Sequence, residues 1–196
     1  KFDLAICLYR YWRRVLQREE DIVRRIVERH RAEGLDYVEY RAMYIYGGED
    51  PEGFLNFHRL NARVIQEAGQ DGFEARYIIS LPRRGPLEGY ALVQRFFDEN
   101  PELIPTVVGL DFCFFEEGYP PRRVQPLFAR LQQDNQQRPD RALEVVYHVG
   151  EVYFDKSLES AVRWCHESAE MGAARLGHAI ALGLDPEVAV ERRPQA

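Results

Sequence analysis

The chain has 196 residues, 45% of them hydrophobic and 30% charged, and its 26 basic and 32 acidic residues give a formal net charge of −6. This ordinary globular composition excludes collagen-like, mucin-like, coiled-coil and largely disordered proteins. The negative charge also argues against nucleic acid as a partner, because duplex-binding proteins neutralise phosphates with clustered Lys and Arg.

The cysteines and the hydropathy pattern predict a cytoplasmic protein. Cys7, Cys113 and Cys165 are odd in number and show no CxxC spacing, so they predict neither a disulfide framework nor a zinc knuckle. No apolar run approaches the ~20 residues that a membrane helix needs, and the first residues show no signal-peptide pattern. We therefore expect reduced, packed thiols and no membrane partner.

Helix-type and strand-type segments alternate along the chain. Apolar residues recur at i and i+4 over residues 19–33, which predicts an amphipathic helix that ends at Gly34. Residues 35–44 are rich in aromatic and β-branched side chains and predict the first strand. The same patterns predict helices over residues 54–67, 87–100, 122–133 and 158–171, strands over residues 73–81, 106–115, 142–148 and 174–179, and a polar connection over residues 132–140.

This alternation predicts an α/β protein built from parallel βα units. The third and fourth strands are almost continuous apolar runs, as expected when both faces of a sheet are covered. Five such units fit an open doubly wound sheet or part of a (β/α)8 barrel. The sequence contains neither GxGxxG after the first strand nor GxxxxGK[ST], so a nucleotide-binding sheet lacks its usual support.

Two predicted strands end in polar residues at the positions where both architectures place their chemistry. The fourth strand runs into HVGE at residues 148–151, and the fifth ends in RLGH at residues 175–178. A neutral imidazole such as His148 is a good zinc ligand, and the Glu151 carboxyl could move a proton. The structural alternative is a hydrogen-bonded strand-end histidine followed by an acid at a helix N-terminus.

Together, HVGE and RLGHA resemble motifs of the adenosine deaminase family, which carries HAGE at the end of its fifth barrel strand and R-[IVL]-GH-G at its sixth. The likeness extends upstream in the same order. KFD at residues 1–3 and GLDYVEYR at residues 34–41 resemble the family's KFD and second-strand segments, and VVGLD at residues 107–111 resembles its fourth-strand motif.

The resemblance implies a (β/α)8 barrel and the zinc-dependent hydrolytic deamination of an adenine nucleoside or nucleotide to the inosine form. His148 matches a histidine ligand of the catalytic zinc. Glu151 matches the acid that protonates the purine ring nitrogen, and His178 matches the histidine that orients the attacking water and helps to deprotonate it. The cytidine-deaminase type of zinc site, with H-x-E and P-C-x-x-C, does not occur in the sequence.

Three further residues are candidate substrate contacts: Gly150, Phe114 and Asp111. Gly150 would let the backbone turn sharply and let a substrate approach closely. Phe114 stands where the family usually has a glycine that faces the substrate, so the pocket would differ from an ordinary adenosine pocket. For Asp111, at the end of a strand, a structural hydrogen bond is an equal alternative.

Part of the family's metal site is not matched in these residues. The HxH of the family's first strand, which supplies two zinc ligands, is absent, and the aspartate ligand of its eighth strand would fall beyond Ala196. A (β/α)8 barrel takes about 250 residues. We therefore expect residues 1–196 to be a partial barrel domain that covers strands two to six and is inactive by itself.

Other functions stay open. HVGE with RLGHAIALGLDP is also similar to larger prokaryotic deaminase-like proteins, including parts of antiviral and CRISPR-associated systems, where ATP or another adenine nucleotide can be the substrate and large oligomers form. A homo-oligomer is thus one expected assembly. The alternatives to deamination are a non-catalytic scaffold that serves binding or assembly, and another metal-dependent hydrolase on the same barrel.

Overall fold

The computed structural model describes residues 18–44, 49–69, 72–113, 115–152 and 156–187, in which five parallel strands alternate with helices. In chain order the elements are α1 (Glu19–Ala32), β1 (Tyr37–Met43), α2 (Pro51–Ala68), β2 (Glu74–Ser80), α3 (Pro86–Glu99), β3 (Val107–Asp111), α4 (Gln125–Gln137), β4 (Glu144–Val149), α5 (Leu158–Glu170) and β5 (Arg175–His178). Short 3-10 segments occupy Pro101–Thr106, Pro121–Val124, Pro139–Arg141 and Ile180–Gly183. The described part of the chain thus confirms the alternation that the sequence predicts.

Helix α2 begins earlier than the apolar periodicity predicts. Its first residue is Pro51, and the Asp50 side chain accepts a hydrogen bond of 2.9 Å from the backbone N–H of Gly53. Proline is well suited to the first helical position because its missing N–H would have no partner there, and an aspartate cap satisfies one of the free amides. Capping therefore extends the helix beyond its apolar stripe.

The third strand is shorter than predicted and ends at Asp111 instead of residue 115. Phe112 is fully buried, and its ring centroid lies 5.3 Å from that of Tyr147. The apolar run thus continues past the last paired residue because Phe112 packs in the hydrophobic core and not because the strand extends that far.

The predicted polar connection over residues 132–140 is wrong for residues 132–137, which are helical. Helix α4 continues to Gln137 and is followed by a short 3-10 segment. Asn135 accounts for this, because its side-chain amide donates to the carbonyl of Leu143 (2.9 Å) and its side-chain oxygen accepts from the N–H of Leu143 (3.0 Å). The polar residues thus belong to an exposed helix face that is tied to the start of β4.

The sheet has the strand order β1-β2-β3-β4-β5, and every pair of neighbours is parallel. Each strand pairs with the next one along the chain, as in a (β/α)8 barrel. An ion pair between Arg175 of β5 and Glu39 of β1 joins the first and last strands across the concave face. The sheet is therefore curled into a half-barrel, and the C-terminal ends of its strands form one rim.

The hydrophobic core lies between the convex face of the sheet and the inner faces of the helices. Its most deeply buried members are Tyr77, Ile79, Leu110 and Tyr147 from the strands and Leu55, Val93, Phe96 and Leu127 from the helices. Each such side chain contributes ~1.5–3 kcal/mol of burial free energy. This packed core fixes the strands whose C-terminal ends form the rim. Among the described helices, none has the length and apolarity needed to cross a bilayer.

Candidate active site at the C-terminal rim

The rim brings together three of the residues that the sequence singles out. Strands β4 and β5 end side by side, with His148 paired to Gly177 and Val149 paired to His178. Glu151 Oε2 lies 3.0 Å from His148 Nε2 and 3.8 Å from His178 Nε2. One ligand atom from each of these three residues lies within 4.8 Å of the other two. We call this group the His–Glu–His cluster (His148, Glu151 and His178).

The environment of His148 keeps its imidazole neutral. The residue is 8% exposed, and burial lowers the pKa of His148, with the neighbouring His178 ring and the Arg83 guanidinium acting in the same direction. Its Nδ1 is buried without a hydrogen-bond partner among the described residues. Neutral imidazole is the form that binds metals, so the site favours a ligand role for this histidine.

The cluster fits a zinc ion by its donor chemistry. Two imidazoles and one carboxylate form a ligand set that zinc enzymes use, with water at the open position. The three side chains differ in access, because the His148 side chain is 10% exposed whereas those of Glu151 and His178 are 43% and 30% exposed. The His148 imidazole is thus buried, whereas the Glu151 and His178 side chains are accessible at the C-terminal rim of the half-barrel.

A glycine is required directly after β4. Gly150 has a φ of +74°, and a Cβ atom at this position would lie 2.6 Å from the Sγ of Cys165 and 3.3 Å from the Cα of Ala179. Any side chain here would push the turn away from α5 and from the end of β5. The fold therefore explains why a glycine occupies position 150, while the predicted contact of Gly150 with a substrate stays a prediction.

Strand β5 ends in a strained turn that aims His178 at Glu151. His178 and Ala179 have φ values of +68° and +50°, a conformation that costs an L-residue about 1–2 kcal/mol. Two hydrogen bonds of 2.9 Å hold the turn, from the N–H of Ala179 to the carbonyl of Val149 and from the N–H of Ala181 to the carbonyl of Gly150. These two hydrogen bonds therefore connect the ends of β4 and β5 beside the cluster.

Ala179→Gly is expected to stabilise the full-length protein by up to ~1 kcal/mol, because glycine removes the left-handed strain and costs less in chain entropy than it relieves. The midpoint of urea denaturation measures this. Ala181→Gly is the matched control, since Ala181 is buried with an ordinary φ and its replacement should destabilise. Equal destabilisation by both variants would refute the strain argument.

Asp111 makes the structural contacts that the sequence left as an alternative. It is fully buried at the end of β3. Its Oδ2 accepts a hydrogen bond of 2.9 Å from the Ser80 hydroxyl and lies 3.6 Å from the Arg41 guanidinium. Its predicted contact with a substrate stays a prediction. Phe114 and the KFD motif at residues 1–3 lie outside the described residues, so their predicted roles are also untested.

Two of the three cysteines are described, and both are free thiols. Burial raises the pKa of Cys113 and of Cys165. A raised thiol pKa makes a nucleophilic role unfavourable. Both residues therefore act as packed side chains, as the sequence predicts, and Cys7 lies outside the described residues.

Two buried charged residues beside the cluster have no role among the functional residues that the sequence predicts. Glu116 is 1% exposed and accepts backbone N–H groups of the turn after β4. Arg83 is 6% exposed and donates to the carbonyl of His148. The sequence holds one available signal for them, because each is a charged residue shortly after the end of an apolar strand.

Comparison with solved structures relates the fold to those of an amidohydrolase and an adenine deaminase. No protein-family model matches the chain, and no curated protein sequence matches it. Among solved structures, an amidohydrolase from Burkholderia ambifaria with bound zinc superposes with a TM-score of 0.63 at 15% identity, over 88% of this chain and 44% of that one. An adenine deaminase from Arthrobacter aurescens superposes with a TM-score of 0.59 at 18% identity, over 88% of this chain and 48% of that one.

This chain spans less than half the length of either of these two proteins. Their similarity extends over the five parallel strands and the helices between them. The chain therefore has the α/β fold of part of an amidohydrolase-type (β/α)8 barrel.

Proposed function

We propose that the full-length protein is a zinc-dependent aminohydrolase that deaminates an adenine nucleoside or nucleotide and releases ammonia. The observation that carries the proposal is the His–Glu–His cluster at the C-terminal rim of a half-barrel. Barrel enzymes place their catalytic groups at this rim. The similarity in fold to a zinc-containing amidohydrolase and to an adenine deaminase supports the same class of chemistry.

In this proposal His148 holds the zinc, together with ligands outside the described residues. It is the most buried member of the cluster, its pKa is lowered, and its Nδ1 is free of hydrogen bonds in the described part of the chain. A bound zinc supplies Lewis acidity and lowers the pKa of water towards neutrality. The buried position of His148 makes it a ligand with a fixed direction.

Glu151 and His178 handle protons in the proposed reaction. The Glu151 carboxyl is the most exposed group of the cluster, so it can face a purine ring and donate a proton to a ring nitrogen. That proton makes the adjacent ring carbon more electrophilic. His178, whose left-handed backbone turns it towards Glu151, orients the attacking water and accepts its proton.

A second use of the same cluster is as a complete ligand set. All three donor atoms lie within 4.8 Å of one another, and a set of two histidines and one carboxylate occurs in zinc hydrolases. The protein would then be a different metal-dependent hydrolase on this barrel, and another group would have to supply the proton. The two proposals differ in whether Glu151 is needed for zinc binding.

The substrate is tested by an ammonia-release screen of the zinc-loaded full-length protein with adenosine, AMP, ATP and adenine. We expect release from at least one of these compounds, and none after treatment with a chelator. Preference for ATP or AMP would favour the nucleotide-acting alternative. A fully zinc-loaded preparation that releases no ammonia from any of them would contradict the proposed deamination and favour a scaffold.

A further inference from the structure

We propose that Glu116 and Arg83 form a charged clamp that positions the β4 exit (residues 148–152), and with it the His–Glu–His cluster. This inference rests on the proposed function, since the clamp acts on the groups that perform the chemistry. Glu116 and Arg83 are positioning residues, because their contacts are to the backbone of the β4 exit and to its neighbours.

Glu116 binds the β4 exit through consecutive backbone amides. Its Oε2 accepts from the N–H of Gly150 at 3.0 Å, and its Oε1 accepts from the N–H of Glu151 at 2.9 Å and of Val152 at 3.4 Å. The positive φ of Gly150 turns successive N–H groups to one side, which forms an anion-binding nest. A buried carboxylate within the chain fills this nest and so determines the direction of Glu151.

Arg83 binds the same segment from its other end. One guanidinium nitrogen donates to the carbonyls of Phe112 (2.7 Å) and His148, and the other donates to the hydroxyl of Tyr147 at 3.1 Å. The guanidinium also lies over the Tyr147 ring, 5.1 Å from its centroid. These contacts join the ends of β3 and β4, so the peptide group of His148 cannot move independently of β3.

The two contacts bracket the reactive residues. Arg83 holds the carbonyl of His148, and Glu116 holds the N–H of Glu151, with two residues between them. Buried charges cost several kcal/mol each when they lack partners. Both carboxylate oxygens of Glu116 and both terminal nitrogens of Arg83 have partners, whereas Arg83 Nε has none among the described residues. A displacement of ~1 Å at a catalytic group can reduce a rate 100-fold, which makes such a clamp consequential.

Glu116→Gln in the full-length protein tests the clamp. Glutamine has nearly the same size but offers one acceptor oxygen, and its NH2 group would face backbone N–H groups. We expect kcat to fall ~10–100-fold and the zinc dissociation constant to rise about tenfold, as for other residues that orient a metal site from behind. KM should stay close to the wild-type value, because Glu116 is buried beneath the turn. Glu116→Asp, which keeps both oxygens, should recover part of the loss.

Glu167→Gln is the matched control. Glu167 is also a buried carboxylate, 4% exposed, but it lies on α5 and pairs with Arg163 and Arg122. Its replacement should lower stability and leave kcat and zinc affinity unchanged. Arg83→Lys, which keeps the charge but loses the forked geometry, should reproduce the pattern of Glu116→Gln and serves as the second variant if Glu116→Gln does not fold.

The outcomes separate the clamp from the proposed function. A wild-type protein without deaminase activity contradicts the proposed function. The clamp is then tested by comparing the zinc affinity of Glu116→Gln with that of the wild type, measured by competition with a chelator. A Glu116→Gln variant that matches the wild type in kcat and zinc affinity overturns the clamp. The clamp is also overturned if Glu167→Gln lowers both quantities as much as Glu116→Gln does.

Discussion

His148→Ala in the full-length protein is expected to weaken zinc binding by ~100-fold or more. Zinc sites of about four ligands bind the metal with ~10–16 kcal/mol of free energy, and the loss of one ligand removes several kcal/mol of it. Deaminase activity should fall with the metal content. The physical reason is the buried, neutral imidazole whose Nδ1 has no partner in the described residues. Zinc per chain is measured by atomic emission after gel filtration, with circular dichroism as a check of folding.

His166→Ala provides the matched control for this prediction. His166 lies on α5, its side chain is 69% exposed, and it pairs with Glu170. Its removal should leave the zinc content unchanged. A His148→Ala protein that is folded and retains zinc at the wild-type affinity would exclude His148 as a ligand.

Glu151→Gln is expected to lower the rate of ammonia release by ~100- to 10,000-fold, the usual contribution of a general acid, and to leave the zinc content largely intact. Glutamine keeps the size of the side chain but has no carboxyl proton to donate. The comparison of rate and zinc content in one preparation is decisive, because the complete-ligand-set alternative predicts that zinc is lost as well.

Glu159→Gln is the control for the charge change. Glu159 lies on the first turn of α5, is largely exposed and pairs with Arg163, so its replacement should alter neither rate nor zinc content. Full activity in Glu151→Gln would contradict the acid role. Loss of zinc in Glu151→Gln would assign Glu151 to the metal instead of the substrate.

The order and type of the elements could be predicted because both depend on local periodicity. The helices bury apolar residues at i and i+4, and the strands are short apolar runs between Gly and Pro breakers. Convergence of His148 and His178 was also predictable, since carboxyl ends of neighbouring parallel strands meet at one rim. The predicted bounds of the elements were wrong where capping or packing determines them, as at the start of α2 (Pro51) and the end of β3 (Asp111).

The clamp and the closure of the half-barrel could not be predicted, because both depend on long-range geometry. Glu116 meets Gly150 from 34 positions away, and Arg83 meets His148 from 65 positions away. The ion pair between Arg175 and Glu39 spans 136 positions. No local pattern reveals such partners, since they exist only when strand register and the turn after β4 are already formed.

The measurement that tests the central claim most directly is restoration of activity by zinc. Full-length protein is stripped with a chelator, and ammonia release from the preferred adenine compound is followed as zinc is added back. We expect no activity without metal and full recovery at one zinc per chain, with no recovery in His148→Ala. Ammonia release that persists in metal-free protein, or that is absent at full zinc occupancy, would contradict the proposed zinc-dependent deamination.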